Sequence, residues 1–132
     1  MANIILRNIT QEDFSKICIF YSQAHITPVE DQEPSINFEK IMKKKCGWVA
    51  ELDGNPIGCI CLYDKNWIHI SVLPEYRLKG FGKQMLEKLP VKDMTVWAKI
   101  PNSNVAAIKL FQSADYTDYD FTRDYVIMQR KY

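Results

Sequence analysis

The chain lacks both a charge excess and a long apolar run. Its 132 residues carry 17 Lys and Arg against 16 Asp and Glu, which gives a formal net charge of +1. Proteins that bind nucleic acid through its phosphates normally show a clear basic excess, so general nucleic-acid binding is disfavoured. The apolar runs are far too short to cross a bilayer, and residues 1–4 show neither the basic stretch nor the apolar core of a secretory signal. We therefore expect a cytoplasmic protein with no membrane role.

Cysteine and histidine are also scarce, with 4 Cys and 2 His in the chain. Cys59 and Cys61 fall on one face of an expected strand, and Cys18 falls on the apolar face of an expected helix. Small buried hydrophobic side chains are placed in this way, so we expect all the cysteines to be reduced. The Cys59-x-Cys61 spacing is not a zinc spacing, and His25 and His69 have no ligand cluster beside them. No metal site is expected.

Composition and periodicity indicate a single mixed domain. Hydrophobic residues make up 47% of the chain and charged residues 25%, close to the average for soluble globular domains. One domain over residues 1–132 is expected, burying about two thirds of the surface that the unfolded chain exposes. The spacing of apolar residues predicts the order β-α-α-β-β-β-α-β-α-β-β. The expected strands cover residues 4–8, 47–52, 57–63, 67–72 and 94–100, and a hairpin around Arg123-Asp124 within residues 121–129 ends the fold.

The N-terminal part carries two helical patterns and one irregular segment. Thr10 followed by Asp13 is an acidic variant of the capping box that starts a helix. Apolar residues then recur at helical spacing as far as Tyr21, and a second short helix is expected around residues 38–42. Residues 22–37 have prolines and acids without periodicity. We interpret this segment as a functional loop or lid.

Glycine is sparse, at 5 residues, yet Gly80 and Gly82 lie only two apart. They follow an apolar strand that ends near Val72 and precede a helix that starts near Gly82. Such a turn leaves successive backbone N–H groups pointing outward, and the positive end of the helix dipole adds to them. The cationic side chains nearby are Arg77, Lys79 and Lys83. The turn is therefore predicted to bind a phosphate-rich ligand.

Two common phosphate-binding loops do not fit this turn. A Walker loop has Ser or Thr after its Gly-Lys pair, whereas Gly82-Lys83 is followed by Gln84. A dinucleotide fingerprint needs a third glycine where this chain has Met85. The remaining pattern is Arg77-x-x-Gly80-x-Gly82.

That pattern resembles the acyl-CoA-binding segment of the GCN5-related N-acetyltransferase (GNAT) family. A second segment, Asn104 to Tyr116, resembles the later helix of the same family and follows at the expected position. Asn102 or Ser103 is expected to cap this helix. The resemblance covers nearly the whole chain. It implies a GNAT-like fold in the α/β (α+β) class, with a mostly antiparallel central sheet of about six or seven strands and about four helices, which agrees with the periodicity.

The resemblance also implies how acetyl-CoA would be held. Backbone amides from Leu78 through Gly82 would bind the pyrophosphate. The strand Ile70-Ser71-Val72 would pair with the pantetheine arm, and Asn104 would form a hydrogen bond to that arm. The ring of Phe81 is expected in the core, with only its N–H at the ligand. The full set of predicted cofactor-binding residues is Ile70, Ser71, Val72, Arg77, Leu78, Lys79, Gly80, Phe81, Gly82, Lys83, Asn104 and Phe111.

In the resembled family, a primary amine attacks the thioester directly, which requires a proton acceptor and a proton donor for the thiolate. His69 is the candidate base, weighed against a buried core histidine and against a water chain ending at one of the acids of residues 22–37. Many family members have a tyrosine where this chain has Phe111, so the donor role is vacant or reassigned. Tyr116 is the candidate donor, with Tyr119, Tyr125 and water as alternatives.

The resemblance therefore implies an N-acetyltransferase that moves an acetyl group from acetyl-CoA to a primary amine on a small molecule, peptide or protein. The alternative is an acyl-CoA-binding or sensing domain without catalysis, which Phe111 favours. An interaction protein with exposed Trp48, Trp67 or Trp97 is a third interpretation, although tryptophans in strands are usually core residues. A monomer and a homodimer both remain open.

Overall fold

The computed structural model describes residues 2–16, 40–63 and 66–132. The irregular segment at residues 22–37, most of the first predicted helix, and Asp64 and Lys65 lie outside these ranges. Within them, residues 11–13 form a 3-10 turn, and residues 14–16 and 40–44 are helical.

Seven strands form one sheet in the order β1-β2-β3-β4-β5-β7-β6. Neighbouring strands are antiparallel except β4 and β5, which are parallel. A 3-10 turn at Pro74–Tyr76 follows β4. The strands are β1 (Ile5–Asn8), β2 (Gly47–Leu52), β3 (Asn55–Tyr63), β4 (Trp67–Val72), β5 (Thr95–Pro101), β6 (Thr117–Phe121) and β7 (Tyr125–Lys131), and the helices after the glycine turn are α1 (Phe81–Glu87) and α2 (Val105–Ser113).

The predicted fold class is confirmed, and the bounds of the first five strands move by at most two residues. The C-terminal hairpin covers residues 117–131 and begins four residues earlier than predicted. The hairpin between β2 and β3 turns at Asp53 and Gly54, whose φ angles are 51° and 81°. Asp and Gly adopt this left-handed conformation more readily than most residues, and two such residues in succession suit a tight hairpin. β3 therefore begins at Asn55, earlier than predicted.

The sheet buries a core on each face. On one face, α1 and α2 cover the main core, and Phe81, Met85 and Phe111 pack there against the sheet. On the other face, Ile41 from the helical stretch at residues 40–44 covers a smaller core that contains Cys59 and Cys61. The three described cysteines are free. Side chains alternate between the two faces along each strand, so neighbouring residues of β4 serve different cores.

An ion pair fixes the 3-10 turn at residues 11–13 to β1. The Arg7 guanidinium donates two hydrogen bonds to the Asp13 carboxylate, both at 2.9 Å. The same carboxylate accepts from the backbone N–H of Thr10 at 2.7 Å, as the capping-box pattern predicts. The hydrogen bond from Arg7 lowers the pKa of the Asp13 carboxyl.

Helix α2 begins differently from the prediction. Asn102 and Ser103 are the candidate caps from sequence, but the N-cap is Asn104, whose side-chain oxygen accepts from the N–H of Ala107 at 3.2 Å. The Asn102 side chain instead donates to the carbonyl of Arg123 at 3.1 Å. Arg123, whose carbonyl accepts this bond, lies on the C-terminal hairpin and is distant in sequence. Local spacing therefore could not predict that the Asn102 side chain would bond there and leave the cap to Asn104.

The strands β4 and β5 pair only at their beginnings within the described residues. The register joins Trp67 to Trp97, and the N–H of Trp97 donates to the carbonyl of Asn66 at 3.0 Å. On their outer sides both strands stay paired along their length, β4 with β3 and β5 with β7. The strands therefore part after Trp67 and leave the end of β4 open on the side of β5.

Gly58 allows β3 and β4 to pack closely at this open end. A Cβ atom at Gly58 would lie 2.3 Å from the backbone carbonyl oxygen of Ser71. We expect Gly58→Ala to lower the free energy of unfolding by about 2 kcal/mol, because backbone must move to admit the methyl group. Urea denaturation measures this. The control is Gly54→Asn, which has open space and a φ that Asn tolerates; equal stability of Gly58→Ala and the wild type would contradict the prediction.

Candidate functional site

A cleft of about 790 Å³ lies where the end of β4, the glycine turn and the first half of α2 meet. The strand forms one wall and the helix the opposite wall, with the turn between them. The residues that line the cleft are Ile70, Ser71, Val72, Pro74, Tyr76, Arg77, Leu78, Gly80, Phe81, Gly82, Lys83, Asn104, Ala106, Ala107, Lys109 and Leu110.

The turn has two residues in the left-handed conformation, Leu78 with φ 61° and Gly80 with φ 84°. Backbone that changes handedness in this way turns successive N–H groups to one side and forms an anion-binding concavity. For a leucine, this conformation is unfavourable by about 1 kcal/mol. The Leu78 side chain is also 100% exposed, so burial of the side chain does not offset this strain. Strain of this kind is typical of binding sites.

Arg77 ties the turn to the strand. Its Nε donates to the carbonyl oxygen of Val72 at 2.8 Å, across the Pro74–Tyr76 turn. Burial lowers the pKa of Arg77, although the guanidinium remains charged at neutral pH. Arg77 thus holds the cleft in shape and also lines it, whereas the sequence predicted only a contact with phosphate.

The cleft has a positive lining. Among its described residues are the cations Arg77, Lys83 and Lys109, and none is a carboxylate. Lys83 forms a loose ion pair with Glu87 at 3.8 Å, and both side chains are about half exposed. Such a pair contributes little in water. The electrostatics therefore favour an anionic ligand.

Gly82 brings the two helices close together beside the cleft. A Cβ atom at Gly82 would lie 3.2 Å from Cδ2 of Leu110 on α2. A larger side chain would push on Leu110, which lines the cleft. The second glycine of the motif therefore serves the contact between helices, and Gly80 supplies the left-handed backbone of the turn.

The structure brings together most of the predicted cofactor-binding residues, but two of them lie elsewhere. Phe111 is 0% exposed and packs in the main core, so its ring does not reach the cleft. This corrects the assignment of Phe111 to cofactor binding; its position follows from the helix face it shares with Ala107 and Ala114. Lys79 does not line the cleft, and its ammonium lies 6.0 Å from the centre of the ring of Tyr76, which does. The ring of Phe81 lies in the core, as predicted.

Six residues of the cleft lie outside the predicted set, and two of them, Tyr76 and Lys109, carry polar groups; the other four are Pro74, Ala106, Ala107 and Leu110. Tyr76 packs its ring edge against Phe81, with ring centres 6.3 Å apart. Lys109 lies on α2 three residues after Ala106, and this spacing places both on one face of the helix. Projecting α2 from Asn104 onto a helical wheel would have revealed Lys109. Tyr76 had no comparable signal, because a 3-10 turn has no long apolar period.

His69 belongs to β4, the strand that lines the cleft, but its side chain lies on the face of the sheet that carries the smaller core. It pairs with Cys61 across β3 and β4, and it is 0% exposed. Burial lowers the pKa of His69 from 6.5 to about 4. The imidazole is therefore neutral at physiological pH, which is the state that a proton acceptor requires. Its neighbour along the strand, Ile70, lines the cleft.

Tyr116 lies in the main core and does not line the cleft. It is 3% exposed, and its ring packs against Phe111 with centres 4.9 Å apart. The Tyr132 hydroxyl donates to the carbonyl of Leu86 at 2.7 Å, so the hydroxyl of Tyr116 is the donor in the 2.9 Å bond between the two tyrosines. Burial, the largest cause, raises the pKa of Tyr116. The structure therefore does not bring this candidate donor to the cleft.

The described ranges contain no cluster of three or more His, Cys, Asp or Glu side chains that could hold a metal ion. The same ranges contain no helix that is long and apolar enough to cross a membrane.

Comparison with known proteins identifies the fold. The family model described as "Acetyltransferase (GNAT) domain" matches residues 43–118, which is more than half of the chain. No curated protein matches the sequence. Many solved structures share the fold, at sequence identities too low to show more than the fold.

Three of these structures illustrate the range of similar proteins. Ribosomal-protein-alanine N-acetyltransferase from Brucella melitensis has a TM-score of 0.77 at 18% identity, covering 97% of this chain and 99% of that chain. The protein yncA from Salmonella typhimurium, solved with its cofactor acetyl-CoA, has a TM-score of 0.74 at 18% identity, covering 97% and 93%. Naa50 from Arabidopsis thaliana, in complex with the bisubstrate analogue CoA-Ac-MVNAL, has a TM-score of 0.71 at 15% identity, covering 98% and 99%.

Burial of His69 makes stability depend on pH. The folded protein leaves His69 neutral down to about pH 4, whereas the unfolded chain protonates it below about pH 6.5. The unfolded state then binds more protons, so the free energy of unfolding falls as the pH drops from about 6.5 to about 4, by up to about 1.4 kcal/mol per pH unit.

Urea denaturation of the wild type and of His69→Gln at about pH 7.5, 6 and 5 measures this contribution. We expect the wild type to lose more stability per pH unit than the variant, since other titrating groups are common to both. Equal slopes would contradict the prediction.

Proposed function

The chain belongs to the GNAT family of acetyltransferases, and from this premise we propose that it transfers the acetyl group of acetyl-CoA to a primary amine. The observation that carries the proposal is the cleft: a turn with outward amides, an anion-favouring lining and an open strand edge meet at one place. Acetyl-CoA has a matching anionic end and an amide-bearing arm. We propose one domain over residues 1–132 for this activity.

We propose that the glycine turn holds the pyrophosphate through the backbone amides of residues 78–82. The left-handed conformations of Leu78 and Gly80 support this role. The pantetheine arm lies along residues 70–72 and pairs with the edge of β4 that β5 leaves open, in the manner of an added strand. Asn104 lines the cleft at the start of α2, close to such an arm.

The reaction proceeds by direct attack in this proposal. The amine nitrogen forms a bond to the thioester carbonyl carbon, the carbon–sulfur bond breaks, and CoA leaves as a thiolate. The amine gives up a proton, for which neutral His69 is the proposed acceptor, and the thiolate takes up a proton. We assign the second proton to water, because Phe111 carries no hydroxyl and the hydroxyl proton of Tyr116 is used in the bond to Tyr132.

The alternative is an acyl-CoA-binding domain without catalysis. Neither Phe111 nor Tyr116, the two positions considered for a proton donor, presents a hydroxyl to the cleft, and this favours the alternative. Tyr76 is the one tyrosine among the described residues that line the cleft. Thiol release distinguishes the two functions, because a sensing domain binds acetyl-CoA and releases no CoA when an amine is added.

The acceptor is proposed as a primary amine of a small molecule, a peptide or a protein. Two similar proteins support this class of acceptor. One is named a ribosomal-protein-alanine N-acetyltransferase, and the other was solved with the bisubstrate analogue CoA-Ac-MVNAL. A panel of spermidine, an aminoglycoside and a peptide with N-terminal alanine therefore tests the proposal by amine-dependent release of free thiol. Binding of acetyl-CoA without release on the whole panel would favour the alternative.

The shape of the glycine turn is expected to decide cofactor affinity. Valine at Gly80 cannot adopt a φ of 84° without strain, so Gly80→Val should reshape the turn and weaken acetyl-CoA binding at least tenfold, or about 1.4 kcal/mol. Gly54→Val is the matched control, because Gly54 has a φ of 81° on a hairpin that does not line the cleft. Isothermal titration calorimetry measures both affinities; equal losses in the two variants would argue against the turn as the binding element.

Tyr116 is expected to matter for stability and not for turnover. Tyr116→Phe removes the hydrogen bond to Tyr132 and should lower the free energy of unfolding by about 1 kcal/mol. The rate of acetyl transfer at saturating substrates should stay within twofold of the wild type. A large loss of turnover with unchanged stability would restore Tyr116 as the donor.

A further inference from the structure

The hydroxyl of Tyr63 is a buried polar group with no hydrogen-bond partner among the residues that the structure describes. Tyr63 ends β3 and is 6% exposed. A buried hydroxyl without a partner destabilises the folded state, because it has lost its bonds to water and gained none. A phenylalanine would fill almost the same space without that penalty. Such a group in a native structure calls for a function or a bound molecule that uses it.

Its position in the sheet relates this hydroxyl to the proposed reaction. Tyr63 pairs with Trp67, and Cys61, two residues earlier on the same strand, pairs with His69. Tyr63 and His69 therefore share one face of the sheet, and their rings meet edge to face with centres 6.3 Å apart and planes at 78°. Trp67 in turn pairs with Trp97, where β4 and β5 begin to part. Tyr63 thus lies beside the vertex of the opening.

This face is opposite to the one that carries the helices of the cleft. Ile70 belongs to the main core under α1 and α2, whereas Tyr63 belongs to the smaller core on the other side of the sheet. A cofactor arm that paired with β4 in the opening between β4 and β5 would expose its thioester to both faces of the sheet near the vertex. An amine that attacks from the side opposite the helices would approach past His69 and Tyr63.

The surroundings of the Tyr63 hydroxyl suit a neutral hydrogen-bonding role. The smaller core around it consists of apolar side chains, among them the ring of Trp67, and of cysteine thiols. Burial raises the pKa of Tyr63 far above its ordinary value, so the phenol keeps its proton at neutral pH. A neutral hydroxyl can accept an N–H bond and donate its own hydrogen to a water molecule at the same time.

We propose that the Tyr63 hydroxyl holds the acceptor amine, directly or through one water molecule, beside His69 during acetyl transfer. This inference rests on the proposed function and adds a residue to it. The amine nitrogen bonds to the acetyl carbon and the amine proton passes to His69. The carbon–sulfur bond breaks, and CoA leaves as a thiolate that takes its proton from water. The Tyr63 phenol keeps its own proton throughout. Tyr63 orients the nitrogen and carries no charge.

Tyr63→Phe separates this role from a structural one. We expect the rate at saturating substrates to fall about tenfold or more, while the affinity for acetyl-CoA stays within twofold of the wild type, since Tyr63 does not line the cleft. The midpoint of thermal unfolding should be unchanged or higher, because the variant removes the unsatisfied hydroxyl. The assay uses the amine of the panel that the wild type acetylates fastest.

Tyr132→Phe is the control, because the Tyr132 hydroxyl donates to the carbonyl of Leu86 at 2.7 Å in the main core and has no proposed part in the reaction. It should keep the wild-type rate. If Tyr63→Phe keeps the wild-type rate as well, the inference is overturned and the hydroxyl is a tolerated cost of packing. A rate loss accompanied by equal losses of acetyl-CoA affinity and thermal stability would also overturn it, since that pattern marks a packing defect.

The same experiment separates this inference from the proposed function. Wild-type turnover with an unaffected Tyr63→Phe variant overturns only the role of Tyr63. Absence of wild-type turnover on the whole panel overturns both.

Discussion

The parting of two parallel strands determines what this protein can bind. Strands β4 and β5 share a hydrogen-bonded start at Trp67 and Trp97, and beyond it the backbone groups of β4 face an opening instead of a neighbour. Unpaired strand edges are unfavourable when buried and invite an extended partner. The cleft, the glycine turn and the start of α2 all border this opening. The geometry of the sheet thus creates the site, and the side chains around it set the charge and shape of the ligand.

Close backbone approaches keep the opening in place. Gly58 lets β3 press against the end of β4, and Gly82 lets α1 approach Leu110 on α2. Arg77 bonds the last carbonyl of β4 and so fixes the turn relative to the strand. Each contact involves at least one element that lines the cleft. Rigid positioning of this kind is what a binding site on a loop requires from its scaffold.

The fold and most of the cofactor cleft could be predicted from sequence, because their patterns are local. The alternation of side chains between the two faces of β3 and β4 and the glycine motif each span only a few residues. Patterns this short are enough to predict strands and turns. Predictions that depended on distant partners did less well. The cap of α2 depended on the C-terminal hairpin taking Asn102, and the place of Tyr116 depended on Tyr132 and Leu86. The unsatisfied hydroxyl of Tyr63 is visible only where three-dimensional packing shows what surrounds it.

The strained turn affects both the conformational cost of ligand binding and the association rate. Leu78 and Gly80 adopt left-handed conformations in the folded chain, so the conformational cost of the turn is part of the free energy of folding. The association rate of an anionic ligand then depends on diffusion and on the positive field of the cleft.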